Sequence, residues 1–115
     1  MPTADHEAVA ARFFAAIEAG DVAAIAAVYA PHAAIWHNTT RRAQSAAENV
    51  ALLRHVVATV GPLRYEDVRR AATPTGFVQQ HVLRCRVPGG PELTVPACIV
   101  CDVQDGRITR LDEYF

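Results

Sequence analysis

The segment Phe77–Val87 alternates like a strand. Its odd positions are Phe77, Gln79, His81, Leu83, Cys85 and Val87, and its even positions include Gln80, Arg84 and Arg86. Residues two apart share a strand face, so the mostly apolar odd set turns inward and takes Gln79 and His81 with it. Near the C-terminus, Glu113 shares a face with Leu111 and Phe115. An imidazole, an amide and a carboxylate on otherwise apolar faces are what a small acid–base site needs. His81 is the candidate main acid/base, and Glu113 a second one or an orienting carboxylate. A core histidine hydrogen-bonded to Gln79 would leave the same trace in the sequence. His37 and Asn38 are neighbours, so a regular strand turns only one of them inward, and a bulge would be needed to serve both.

Other chemistries fit the pattern poorly. Cys98-Ile99-Val100-Cys101 lies in the β-branched run Leu93–Val103, where residues three apart face opposite sides; a redox pair needs a helix N-terminus and a zinc knuckle a turn. Three cysteines are an odd number, and residues 1–15 carry Asp5 and Glu7 without a basic stretch. A disulfide framework and an export signal are therefore not expected, and the expected compartment is the cytoplasm. His6, His32 and His55 have no ligand spacing, so no metal is expected. No glycine-rich loop follows a strand, and no cofactor is expected. Arg41-Arg42 reads as a solvated loop pair. A net charge of −1 gives no basic excess for nucleic acid or an acidic membrane surface. No apolar run reaches the roughly 20 residues of a membrane-spanning helix.

The elements that must hold these residues follow from periodicity. At 115 residues the chain is one domain, and 51% hydrophobic against 20% charged residues is enough for a folded core. Val9, Phe13, Ala16 and Ile17 recur on one face of a first helix, Ala4–Ala19, which Gly20 stops. Asp21 caps a second helix whose stripe is Val22, Ile25, Val28 and Tyr29, ended by Pro31. Ala33–Asn38 is a short strand, and Thr39–Gln44 a polar loop. Ser45-Ala46-Ala47-Glu48 is a capping box, which opens a third helix with Val50, Leu53, Val57 and Val60; Gly61-Pro62 closes it. Leu63–Ala71, Phe77–Val87, Leu93–Val103 and Arg107–Phe115 are strands joined by short turns, so they pair as antiparallel hairpins. The order α-α-β-α-β-β-β-β is an α+β domain with helices on one face of a curved sheet.

Three segments carry a family resemblance: Phe13–Asp21 running on to Tyr29-Ala30-Pro31-His32-Ala33, then Ile35-Trp36-His37-Asn38, then Asp105–Phe115. With the element order, they make the chain resemble the NTF2-like superfamily, in its SnoaL-like or ketosteroid-isomerase-like branch. The resemblance implies a cone of three N-terminal helices on a curved, mostly antiparallel sheet, with a pocket inside. It does not fix a reaction, because the superfamily holds isomerases, epoxide hydrolases, dehydratases, cyclases and non-catalytic binders.

Carried over position by position, the resemblance is uneven. The ketosteroid-isomerase pattern puts its tyrosine donor at Phe13, its protonated acid at about Ile99 and its carboxylate base at or beside His37. The limonene-epoxide-hydrolase pattern puts its arginine at Gln79, its two aspartates at His81 and Glu113, and its water-holding tyrosine and asparagine at Trp36 and Asn38. The scytalone-dehydratase pattern puts a histidine at His81 and a tyrosine near His37. These readings imply His81, Glu113 and His37 as catalytic residues, and Asn38 and Gln79 as holders of a substrate oxygen or water. Phe13, Trp36, Leu83, Ile99 and Leu111 would form the wall.

The expected function is cofactor-independent acid–base chemistry on a small, mostly apolar molecule carrying a polar group. The reading from another class is a non-catalytic ligand-binding or dimerisation module. A homodimer is expected, because Val78, Val82, Cys98 and Val100 leave the outer sheet face apolar too.

Overall fold

The computed structural model describes residues 3–115, and Met1 and Pro2 lie outside the described residues. Helices α1 (Thr3–Ala19) and α2 (Val22–Val28) are followed by strands β1 (Tyr29–His37) and β2 (Arg42–Ser45) and by helix α3 (Ala46–Val60). Strands β3 (Arg64–Ala72), β4 (Gly76–Arg86), β5 (Glu92–Gln104) and β6 (Arg107–Tyr114) complete the chain. The three helices pack on one six-stranded sheet of order β2-β1-β6-β5-β4-β3, an α+β fold. Strands β3 to β6 pair antiparallel throughout, as the short turns required.

The helix boundaries have local causes. The Asp21 side chain accepts from the Ala24 amide and caps α2. At α3, the Ser45 hydroxyl accepts from the Glu48 amide while the Glu48 carboxylate accepts from the Ser45 amide, so the capping box closes in both directions. Gly61 ends α3 with φ +82°, a left-handed conformation that costs glycine least.

Two elements differ from the sequence reading. Tyr29 was expected on the α2 stripe, but it opens β1, which runs from Tyr29 instead of Ala33. Pro31, with no amide hydrogen to donate, ends the helix early, and the extended chain then pairs with β6. The expected loop Thr39–Gln44 instead leads into β2 (Arg42–Ser45), an edge strand that takes up the loop's last three residues. It forms a hairpin with β1 through Trp36↔Ala43 and His37↔Arg42, and Arg41 turns the chain at φ +55°. Such a strand carries no alternation because neither of its faces is fully buried.

Pairing of β1 with β6 is parallel, with Ile35↔Leu111 and His37↔Glu113 opposite each other. Register between β4 and β5 is held where Gly76 meets the β5 backbone: a Cβ at Gly76 would lie 1.9 Å from the Cys101 carbonyl oxygen. That register puts Gln79 opposite Ile99, and β5–β6 pairing puts Ile99 opposite Glu113. One row across the inner face therefore reads Arg70, Gln79, Ile99, Glu113, His37, Arg42. Helix α1 covers β3 and β4, and α3 covers β1 and β2. Phe13, Phe14, Ile17, Ile35, Phe77 and Ile108 anchor the core between them; each fully buried side chain contributes about 2–3 kcal/mol. No helix among the described residues is long and apolar enough to cross a membrane.

Candidate functional site

Between α1, α3 and the inner sheet face lies a cavity of about 370 Å³. Phe13, Leu83, Ile99 and Leu111 form part of its apolar wall, and Leu52, Thr39, Thr40 and Phe115 lie nearer solvent at its rim. Its one carboxylate is Glu113 and its one imidazole His37. His37 Nε2 lies 3.2 Å from Glu113 Oε1, with side-chain exposures of 15% and 20%. That exposure leaves both groups reachable from the cavity while still largely dry.

A second polar group enters from α3. The Tyr29 hydroxyl donates to Asn49 Oδ1 at 2.7 Å, and Asn49 Nδ2 donates to Gln44 Oε1 at 3.1 Å. All three residues line the cavity, as does Tyr65. Burial first, and then the Cys101 thiol and the Glu113 charge, push the Tyr29 hydroxyl well above its ordinary range. Burial, then Glu113, do the same for Tyr65. Both phenols therefore stay protonated. The sequence reading did not place Tyr29, Asn49, Gln44 and Tyr65 in the cavity lining. Asn49 carried a usable signal: a polar residue in helical phase with Leu53, Val56 and Val60.

Trp36 and Asn38, expected in the wall or holding a substrate oxygen, lie outside this cavity. Because His37 turns inward, strand alternation turns its two neighbours out. Trp36 packs on Tyr114 with ring centres 5.4 Å apart. Asn38 donates its amide hydrogen to the Glu113 carbonyl, its Nδ2 donates to the Phe115 carbonyl, and its Oδ1 accepts from the Phe115 amide. Its side chain thus extends the β1–β6 ladder beyond the strand.

Gln79 and His81 are both on the inner face and buried, but they too lie outside the lining of this cavity. They are bonded to one another, Gln79 Nε2 to His81 Nδ1 at 2.9 Å, and Gln79 Oε1 accepts from Arg70 Nε at 2.8 Å. The His81 ring sits edge-on to Tyr65 and Phe14, with centres 4.5 and 5.7 Å away. These rings and the strand next to it place His81 one layer behind the wall: its β5 partner Ala97 and its strand neighbour Leu83 both line the cavity. Burial lowers the His81 pKa below its ordinary value, and the Glu113 charge offsets part of that.

The remaining singled-out residues have structural surroundings. His6 Nδ1 lies 2.9 Å from the Thr73 carbonyl oxygen. Cys101 is buried, while Cys98 is half-buried and faces the opposite side of β5. No three His, Cys, Asp or Glu side chains gather as a metal site among the described residues. A wider concavity of about 880 Å³, bordered by Val68, Gln80, His81, Cys98 and Tyr114, lies over the outer sheet side. It is open surface, whereas the smaller cavity is walled by side chains from both layers.

The family model for the SnoaL-like domain matches residues 10–111. Among curated proteins, none matches the chain in sequence. Several solved structures share the fold. A candidate polyketide cyclase of Xanthomonas campestris superposes with a TM-score of 0.84 at 19% identity, covering 96% of this chain and 90% of that one. An LEH-like epoxide hydrolase of Mycobacterium tuberculosis gives 0.83 at 20% identity, covering 97% and 83%. AclR, a candidate hydroxylase of Streptomyces galilaeus, gives 0.85 at 15% identity, covering 97% and 79%. At such identities the likeness concerns the fold, not the reaction.

Proposed function

The chain belongs to the SnoaL-like domain family, and on that premise we propose that it is an acid–base enzyme acting on a small neutral molecule. The observation that carries this reading is the His37–Glu113 pair at 3.2 Å on the wall of an otherwise mostly apolar cavity. An imidazole and a carboxylate in contact are the two side chains that acid–base chemistry uses most. They take a proton from one atom of the ligand and return one to another, as isomerisation, dehydration, ring closure or epoxide opening requires. Among the described residues no arginine lines the cavity, which favours a neutral ligand, and a volume of about 370 Å³ suits a small one.

This moves the main acid/base role from His81, where the sequence suggested it, to His37 with Glu113. The test is a screen of small cyclic ketones, enones and epoxides for turnover, repeated with Glu113→Gln. Turnover that survives this substitution within about threefold rejects the reading, since a lost acid–base group costs about a hundredfold or more.

One observation favours a second reading, a non-catalytic binder. His37 with Glu113, Tyr29 with Asn49 and Gln79 with His81 are each already paired. Under that reading, ligands from the same screen bind unchanged and Glu113→Gln alters affinity alone.

The proposal includes a homodimer. Val68, Val100 and Tyr114 are 42%, 38% and 45% exposed on the outer side of the sheet, apolar side chains that a second copy would cover.

A further inference from the structure

His81 Nε2 is the buried side-chain nitrogen or oxygen left without a hydrogen-bond partner among the described residues. What it carries is decided two hydrogen bonds away, at Arg70. A guanidinium only donates, so the Gln79 atom facing Arg70 Nε at 2.8 Å must be the amide oxygen. The other end of that amide is then NH₂, which also only donates, and it faces His81 Nδ1 at 2.9 Å. Nδ1 must therefore be the lone-pair nitrogen, and a neutral His81 carries its proton on Nε2.

We propose that Arg70, acting through Gln79, fixes His81 as the Nε2–H tautomer, and that this buried N–H is the docking point for one acceptor oxygen of a small neutral ligand. Arg70 and Gln79 are positioning residues in this scheme, and His81 serves as a donor, not a base.

Three features support it. Arg70 and Gln79 are register partners on β3 and β4, and the Arg70 guanidinium lies 5.6 Å from the centre of the Phe14 ring, which holds it in place. The β3–β4 ladder shifts register between Glu66 and Arg69, with Asp67 at φ +52°, opposite His81; a bulge there breaks the pairing beside the histidine. Finally, the His81 ring packs against Tyr65 and pairs in register with Ala97, both in the cavity wall, so the unpartnered nitrogen belongs to a ring that adjoins the ligand space. Burial disfavours the imidazolium, which keeps the ring a neutral donor at neutral pH.

The tautomer is testable without a ligand or a reaction, so its failure is separate from failure of the acid–base reading. Long-range ¹H–¹⁵N spectra of the whole chain at about pH 7 should show His81 protonated at Nε2 and bare at Nδ1. Arg70→Lys, which still donates to Gln79, should keep that pattern. Gln79→Glu, which only accepts, should move a proton onto Nδ1. A protonated Nδ1 in the wild type, or a pattern unchanged in Gln79→Glu, overturns the relay.

The acceptor site is tested by titrating acetophenone and ethylbenzene, which differ in one carbonyl. The wild type should prefer acetophenone by about tenfold, the worth of one hydrogen bond to a buried donor, and His81→Phe should lose the preference. Equal binding, binding of neither, or a preference that survives His81→Phe leaves the donor to water or the Tyr65 ring and overturns the acceptor site.

Discussion

His37 and Glu113 stand directly opposite each other on the parallel strands β1 and β6, and their side chains meet 3.2 Å apart at the cavity wall. The pair is assembled from segments 76 positions apart in the chain. No local pattern joins them; the one parallel pairing in the sheet does.

If the two groups act as one proton-transfer unit, His37→Gln and Glu113→Gln should each lower kcat by about a hundredfold or more. The double variant should then be no slower than the worse single one, because removing either partner already disables the unit. Rate losses that multiply in the double variant would show two independent roles.

His81 makes stability depend on pH. Burial lowers its pKa in the folded chain, with Glu113 opposing, while the unfolded chain takes up the proton near the ordinary value of 6.5. Below that value the unfolded state binds more protons, so stability is level above about 6.5 and falls as the pH drops beneath it. In His81→Phe this part of the slope should vanish from melting curves recorded across roughly pH 5–8. At neutral pH the same variant should lose about 1–3 kcal/mol, because the fully buried Gln79 amide loses its acceptor. A variant as stable as the wild type would mean that Gln79 finds another partner.

Asn38 replaces a missing stretch of strand with its side chain. Asn38→Ala should speed hydrogen exchange at the Phe115 amide severalfold and cost about 1 kcal/mol, the net worth of an exposed hydrogen bond or two. Asn38→Asp retains the acceptor and should restore most of the Phe115 protection. If Asp behaves like Ala, the clamp depends on the Nδ2 donor instead.

The outer face predicts the assembly state. Light scattering at micromolar concentration should give about twice the 12.4 kDa chain mass. Tyr114→Lys with Val100→Lys should shift the protein to monomer, since both side chains are exposed on that side. A monomeric wild type rejects the dimer.

Much of the frame was legible because short-range physics writes it. Alternation in Phe77–Val87 named the inner face, since a strand turns every second side chain the same way. Ser45 and Glu48 announced the start of α3 through a three-residue hydrogen-bond exchange. Proximity on one strand even foreshadowed the Gln79–His81 bond, because residues two apart on a face touch.

Tertiary structure decided the rest. Parity tells which face a residue takes but not how far along the strand the helices cover it. Phe14 of α1 and Tyr65 of β3 close over His81, whereas Leu83 and Cys85 further along β4 are left facing the cavity. The choice of His37 over Trp36 and Asn38 was fixed by the register of β1 on β6, set by backbone pairing across distant segments. Edge strand β2 and the Tyr29–Asn49–Gln44 chain exist only once β1 and α3 are brought together: helical phase could single out Asn49, but nothing local in the sequence joins it to Tyr29 and Gln44.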